Sequence, residues 1–397
     1  MNWDLLSVLI FYFLLLVVYY RFKDKFENQG FLVLYKTKLG LKLMDKISGK
    51  FPRAVKIFSY LGVIVGFLGM AFILYFLIKA TLDLILIPGT ESALAPVLPG
   101  ISIPGVPALS FWHWIITIFI AAAIHEFAHG VVARNIKVPI KSSGFAFLGP
   151  LLAAFVEPDE MIMEKKSIMK QLSVFAAGPF LNILLGIFVL LIMIFVFTPF
   201  LGLIYDSDGI SVSGFVLDGA MNESGIVLPF TIVSLDGDEI LSLQDFVDET
   251  SDMKPGDEVV VGTDKGDYTV TLGSNPENES LPYFGIMGLE NNLVLEDNWK
   301  FLDPVDGIFD WIQLLLMWLF MISIGIGLFN LLPLGPVDGG RMMYSLALVF
   351  FSAKVSKKIL LFFSLVCLAL IIINMIPWIE KLMSFIWSIL ILVFGIF

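Results

Sequence analysis

Seven apolar runs decide what solvent this chain folds in. Trp3 to Tyr20, Ile57 to Ile78, Phe111 to Val132, Leu172 to Thr198, Ile308 to Leu332, Ile359 to Met375, and Phe385 to Phe397 with the residues before it are near the length that crosses a hydrocarbon core as a helix. Backbone in hydrocarbon must satisfy its own hydrogen bonds, so these runs are expected as helices. A chain that is 58% hydrophobic and only 15% charged, with a mean hydropathy of +0.89, is no soluble globular domain. The expected fold class is a polytopic α-helical membrane protein of about seven spans. Its net charge of −11 gives no basis for a nucleic-acid partner, and its single cysteine, Cys367, excludes a disulfide framework or a cysteine zinc site.

Charge orders the runs. Trp3 to Tyr20 lacks a small-residue cleavage site and reads as an uncleaved signal anchor. Ten Lys or Arg follow between Arg21 and Lys56, a stretch read as a solvated surface facing lipid headgroups and assigned no chemistry. Arg134, Lys137 and Lys141, and later Lys354, Lys357 and Lys358, follow other runs, whereas Ala80 to Ser110 holds no Lys or Arg. The positive-inside rule puts the basic loops in the cytoplasm, and seven alternating crossings keep them all on that side.

Tyr205 to Asn298 is different material, polar and turn-rich, with 20 of the chain's 36 acids. Ile210 to Val216, Ile232 to Leu235, Glu258 to Gly262 and Tyr268 to Leu272 are expected as strands, Leu243 to Thr250 as a helix, and Asp236-Gly237 as a hairpin turn. The expected divisions are 1–56, a signal-anchor span and basic loop; 57–202 and 301–352, two parts of a membrane core; 203–300, an extracytoplasmic α/β domain; and 353–397, the C-terminal spans.

Within the third run stands His125-Glu126-Phe127-Ala128-His129. Residues four apart share a helix face, so the two imidazoles can hold one metal ion, while Glu126 is placed to take a proton from a water on that ion. Two exposed histidines and a surface acid would be the reading on a soluble helix. Ionisable groups inside a span cost several kcal/mol and persist mostly at functional sites, which favours the metal. The basic residues that follow place the site toward the cytoplasmic leaflet.

A catalytic zinc usually takes three protein ligands. His113 lies about 18 Å along the helix from His125, too far to join it, and between Trp112 and Trp114 reads as interfacial. Asp338 is the expected third ligand: it sits in a stretch broken by Pro333, Gly335, Pro336, Gly339 and Gly340, on the same side as the histidines. Glu157 and Asp159 compete but adjoin a charged loop. Ser142 to Val156, interrupted by Gly144, Gly149 and Pro150, is too short to span; it is either a re-entrant loop or hairpin, or an interfacial loop on the bundle. Asn182, after Gly178-Pro179, is either glue between helices or a group for a substrate backbone.

With these residues in place, the chain resembles the site-2 proteases, intramembrane zinc metalloproteases. The resemblance rests on His125 to His129, on Gly178-Pro179 with Asn182, and on Asn330 through Asp338-Gly339-Gly340, and covers about Ile57 to Phe351. Val337 stands where the family often has Leu; Ala154 to Asp159 is similar to the branch with the sterol-regulatory form. Gly225, Ile232 to Ile240 and Pro255 to Val259 resemble a PDZ domain of membrane-linked proteases. The resemblance implies one Zn2+ held by His125, His129 and Asp338, Glu126 as general base and then acid, and Asn182 and Asn330 bonding an unwound substrate backbone. It also implies single-span membrane proteins as substrates, already cut in their ectodomains and screened by the PDZ-like domain. A membrane metal carrier or zinc sensor with a peptide-binding domain is the alternative, although a carrier has no need of Glu126 between the histidines.

Overall fold

An apolar helix, α1 (Trp3–Arg21), begins the chain, and it leads into two short strands, β1 (Phe26–Gln29) and β2 (Leu32–Thr37). The computed structural model describes residues 3–29, 32–101, 106–148, 151–216, 219–276, 278–305 and 307–394. The strands fall in the basic stretch read above as a featureless surface. They form there because Val33, Leu34 and Tyr35 are good strand formers, and because β2 finds a partner more than a hundred residues away. Next come α2 (Leu41–Lys50), whose Met44 is buried, and the 35-residue α3 (Pro52–Leu86), opened by a proline at a position where the missing N–H costs nothing.

Helix α4 (Phe111–Asn135) is capped by Ser110, whose hydroxyl accepts from the His113 N–H. It lies against α2 and α3. Strands β3 (Ile140–Leu148) and β4 (Leu151–Pro158) then form an antiparallel hairpin, with Ser143 opposite Val156 and Ala146 opposite Ala153. The hairpin extends a four-stranded sheet in the order β1-β2-β3-β4, so β4 is its edge, and β4 packs on α4. Of the expected breaks in this segment, Gly144 lies within β3, and Gly149 and Pro150 lie outside the described residues. Gly144 admits a close approach, since a methyl group there would stand 2.0 Å from the Tyr35 carbonyl oxygen.

After α5 (Glu160–Glu164) and α6 (Ile168–Phe175), α7 (Ala177–Ile192) packs on α4 and runs through a π-helical turn into α8 (Thr198–Leu201). The chain divides into two compact units, Ile194–Asp310 forming the second and the remainder the first. In the second, β5 (Tyr205–Phe215), α9 (Ala220–Glu223), β6 (Phe230–Leu235), β7 (Asp238–Glu239), α10 (Leu243–Thr250), β8 (Glu258–Thr263), β9 (Gly266–Thr271), β10 (Gly273–Asn275), β11 (Asn278–Tyr283) and β12 (Ile286–Leu295) follow in order. The main sheet runs β12-β5-β6-β8-β9, with β7 paired to β6 across the Asp236-Gly237 turn. Alternation sends Ile210 and Val212, Phe230 and Ile232, and Val259 and Val261 into one core, and an irregularity in β6 between Ile232 and Ser234 brings Leu235 into it as well.

The first unit resumes with α11 (Gly307–Asn330), α12 (Asp338–Phe350) and α13 (Ala353–Phe394). Among the described residues five helices are long and apolar enough to cross a membrane: Pro52–Leu86, Phe111–Asn135, Ile168–Leu201, Gly307–Asn330 and Ala353–Ser384; Leu6–Arg21 is shorter. The expected return over Phe385 to Phe397 is replaced, as far as residue 394, by continuation of α13. The helix runs for 42 residues and includes Pro377, Glu380 and Lys381.

Candidate active site

Two helices bring the cluster of His125, His129 and Asp338 together. His125 and His129 stand one helical turn apart on α4, both more than nine-tenths buried. Asp338 is the first residue of α12, where Val337 is the N-cap. The glycines after it let that first turn fold onto the backbone before it: an added methyl would stand 2.3 Å from the Leu331 carbonyl oxygen at Gly339, and 2.1 Å from that of Leu334 at Gly340. The Asp-Gly-Gly sequence therefore places a carboxylate by removing side chains next to it.

Asp338 Oδ2 lies 3.1 Å from His125 Nε2 and 3.2 Å from His129 Nε2, and the two Nε2 atoms are 3.1 Å apart. Tetrahedral coordination with bonds of 2.0 to 2.1 Å separates neighbouring ligand atoms by about 3.3 Å, so this nearly equilateral triangle fits one face of a zinc site. The donor set, two imidazoles and a carboxylate, suits zinc as well. His129 Nδ1 donates to the Val174 carbonyl oxygen at 2.7 Å, which leaves its Nε2 as the free donor atom.

Glu126 Oε2 accepts from the Val156 N–H at 3.0 Å. Val156 belongs to β4, and this N–H points away from β3, so Glu126 sits on the open edge of the sheet. A cavity of about 520 Å3 joins these groups, lined among others by His125, Glu126, His129, Val156, Asn330 and Asp338. Gly178 on α7 closes the far side: its Cβ would stand 2.4 Å from His129 Nε2 and 2.7 Å from His125 Nε2.

The remaining expectations divide. Asn330 lines the cavity, and its Nδ2 donates to Ile326 in its own helix. Asn182 is fully buried, with its Nδ2 3.3 Å from His125 Nδ1, so it stands behind the histidine. His113 is also buried, bonded to Ser110 Oγ and to the Trp311 carbonyl oxygen. Glu157 accepts from Ser142 Oγ, and Asp159 caps α5; neither joins the cluster. Sequence reasoning missed the Val174 carbonyl and the Val156 N–H, which as backbone groups leave no residue signature.

A membrane chain that gathers two histidines and an aspartate beside a glutamate has the groups of a metallopeptidase. Residues 113–374 match Peptidase family M50, and the chain belongs to that family, the site-2 proteases. An uncharacterized protein of Methanocaldococcus jannaschii is 27% identical over 354 residues, 85% of each chain. Part of the chain is similar to the PDZ domain of the SdrC-like protein of Listeria monocytogenes, at 24% identity over 23% of this chain and 90% of that one, with a TM-score of 0.18.

Proposed function

We propose that this protein is a zinc endopeptidase that cuts a peptide bond in or near a transmembrane segment of another membrane protein. The observation that carries the reading is the triangle of His125 Nε2, His129 Nε2 and Asp338 Oδ2, in which both histidines and the neighbouring Glu126 stand on α4, a helix long and apolar enough to span. Zinc held by those three residues would supply a Lewis acid that activates water and polarises a scissile carbonyl.

The chain's own groups do the rest. Glu126, next to the cluster in the cavity, takes the water's proton and returns it to the leaving amine. A helical substrate hides its carbonyls in intrahelical bonds, so it must be extended before attack. Strand β4 is the edge of its sheet, and its Val156 and Pro158 line the cavity, so an unwound segment that adds to this edge would be held beside Glu126. Asn330, at the cavity wall, bonds the substrate backbone.

By the charge pattern, the site lies toward the cytoplasmic leaflet and the β-rich unit outside, where a PDZ-like domain screens single-span substrates already shortened by another protease. The sequence pattern around Gly225, Asp236-Gly237 and Pro255-Gly256 supports that domain's assignment.

The test compares the detergent-solubilised protein with Glu126→Gln, measuring bound zinc and cleavage of a single-span protein with a short ectodomain. Equal zinc, with cleavage by the parent alone and at least a hundredfold loss in the variant, is expected. Zinc transport across reconstituted vesicles that is lost in Asp338→Ala, with no cleavage by the parent, would overturn the reading in favour of a carrier.

A further inference from the structure

The two histidines present the same problem to the fold, and only one solution is complete. A histidine that gives Nε2 to a cation carries its proton on Nδ1, and that N–H needs an acceptor behind the ring. His129 has one in the Val174 carbonyl oxygen, 2.7 Å away. Behind His125 the partner is the Asn182 side chain, whose Nδ2 stands 3.3 Å from Nδ1. In that orientation two donors oppose each other once Nδ1 is protonated. Meanwhile Asn182 Oδ1 is buried without any hydrogen-bond partner.

We propose that Asn182 is a positioning residue for the metal site, with its amide oxygen accepting the Nδ1 proton of His125. A half-turn of the amide puts Oδ1 where Nδ2 stands. It exchanges one unpartnered polar atom for another but removes the clash of donors, and the hydrogen-bond network is what selects between the two orientations. The residue is well placed to hold the ring. Gly178 and Asn182 are four apart on α7, so one helix face both touches the imidazoles at Gly178 and reaches behind His125 at Asn182. Full burial, outside the cavity lining, keeps this amide from a substrate.

The inference rests on the metallopeptidase reading, and its test reads metal rather than turnover. Zinc affinity is measured by competition with a chromophoric chelator for the detergent-solubilised full chain, Asn182→Leu and Asn182→Asp, alongside thermal unfolding of each metal-free form. Leucine removes the acceptor, whereas aspartate keeps one in the same place. Asn182→Leu is expected to bind zinc 10- to 100-fold more weakly with an unchanged metal-free midpoint, and Asn182→Asp at least as tightly as the parent. Parental affinity in Asn182→Leu, or a tenfold loss in Asn182→Asp, overturns the proposal. If leucine lowers the metal-free midpoint, the aspartate variant alone decides by the same criterion. A parent that binds no zinc removes the metallopeptidase reading itself, whereas zinc binding equal in parent and leucine variant removes only the role of Asn182.

Discussion

A methyl group added at Gly178 would stand 2.4 Å from His129 Nε2, while one added at Gly237 would meet nothing within 4 Å. Gly178 has ordinary helical backbone in the first unit and is needed for the space it leaves. Gly237, in the second, has φ of 96°, follows Asp236 at φ 49°, and is needed to turn β6 into β7. The same contrast runs through both cores. In the β-rich unit, burial takes apolar side chains out of water: Ile210, Val212, Ile232, Leu235 and Val261 are wholly inside. The helical unit leaves Leu68, Phe72, Phe188 and Phe362 exposed and buries His125, His129, Thr117, Ser173 and Asn182. Where the surroundings are hydrocarbon, sequestering apolar surface gains little, and close backbone approach with internal hydrogen bonds decides the packing instead.

The contrast predicts unequal consequences for small changes. Gly178→Ala adds one methyl group, yet it must push the rings of His125 and His129 aside. Zinc affinity is expected to fall more than tenfold and cleavage about a hundredfold, the usual result of misplacing reacting groups by 1 Å. Bound zinc and initial rates check this. Unchanged values would mean that the close approach is incidental, and the contrast between the two glycines would fail.

Ile232→Ala asks the converse question in the second unit. Ile232 is fully buried on β6, between β5 and β8, and its truncation should cost that unit about 2 to 5 kcal/mol. Earlier proteolysis within Ile194–Asp310 is expected on heating, with bound zinc unchanged. Loss of zinc together with that unit would show that the two cores are not separately stabilised.

Legibility followed the same division. Local signals were readable: the His-Glu-His spacing, the Asp236-Gly237 turn and the alternation in β5, β6, β8 and β9 lie within a few residues. Asp338 was readable too, because an acid in a broken apolar stretch has little other reason to be there. Contacts between distant segments were not. Leu32 to Thr37 is surrounded by lysines, and its strand state depends on pairing with Ser143 to Leu148. The continuation of α13 through Pro377 was not readable either, because apolar helices in a bundle tolerate proline when their neighbours satisfy the freed groups. Asn182 had two open readings, and only the packing of α7 on α4 puts its amide behind His125.

The smallest effect belongs to exposed charge. Lys300 Nζ lies 2.6 Å from Asp297 Oδ1, and that hydrogen bond and charge hold the Asp297 carboxyl below its usual range. A depressed carboxyl contributes stability above its unfolded value, near pH 3.9, and loses it as pH falls through the lower folded value. Water screens this pair, since both side chains are mostly exposed. Lys300→Ala should therefore raise the Asp297 titration midpoint, followed by the carboxyl carbon resonance, while leaving thermal unfolding at pH 7 unmoved. A clear loss of stability at pH 7 would mean that the surface charges of this acidic unit matter as its apolar core does, and the account of its stability by burial alone would have to be abandoned.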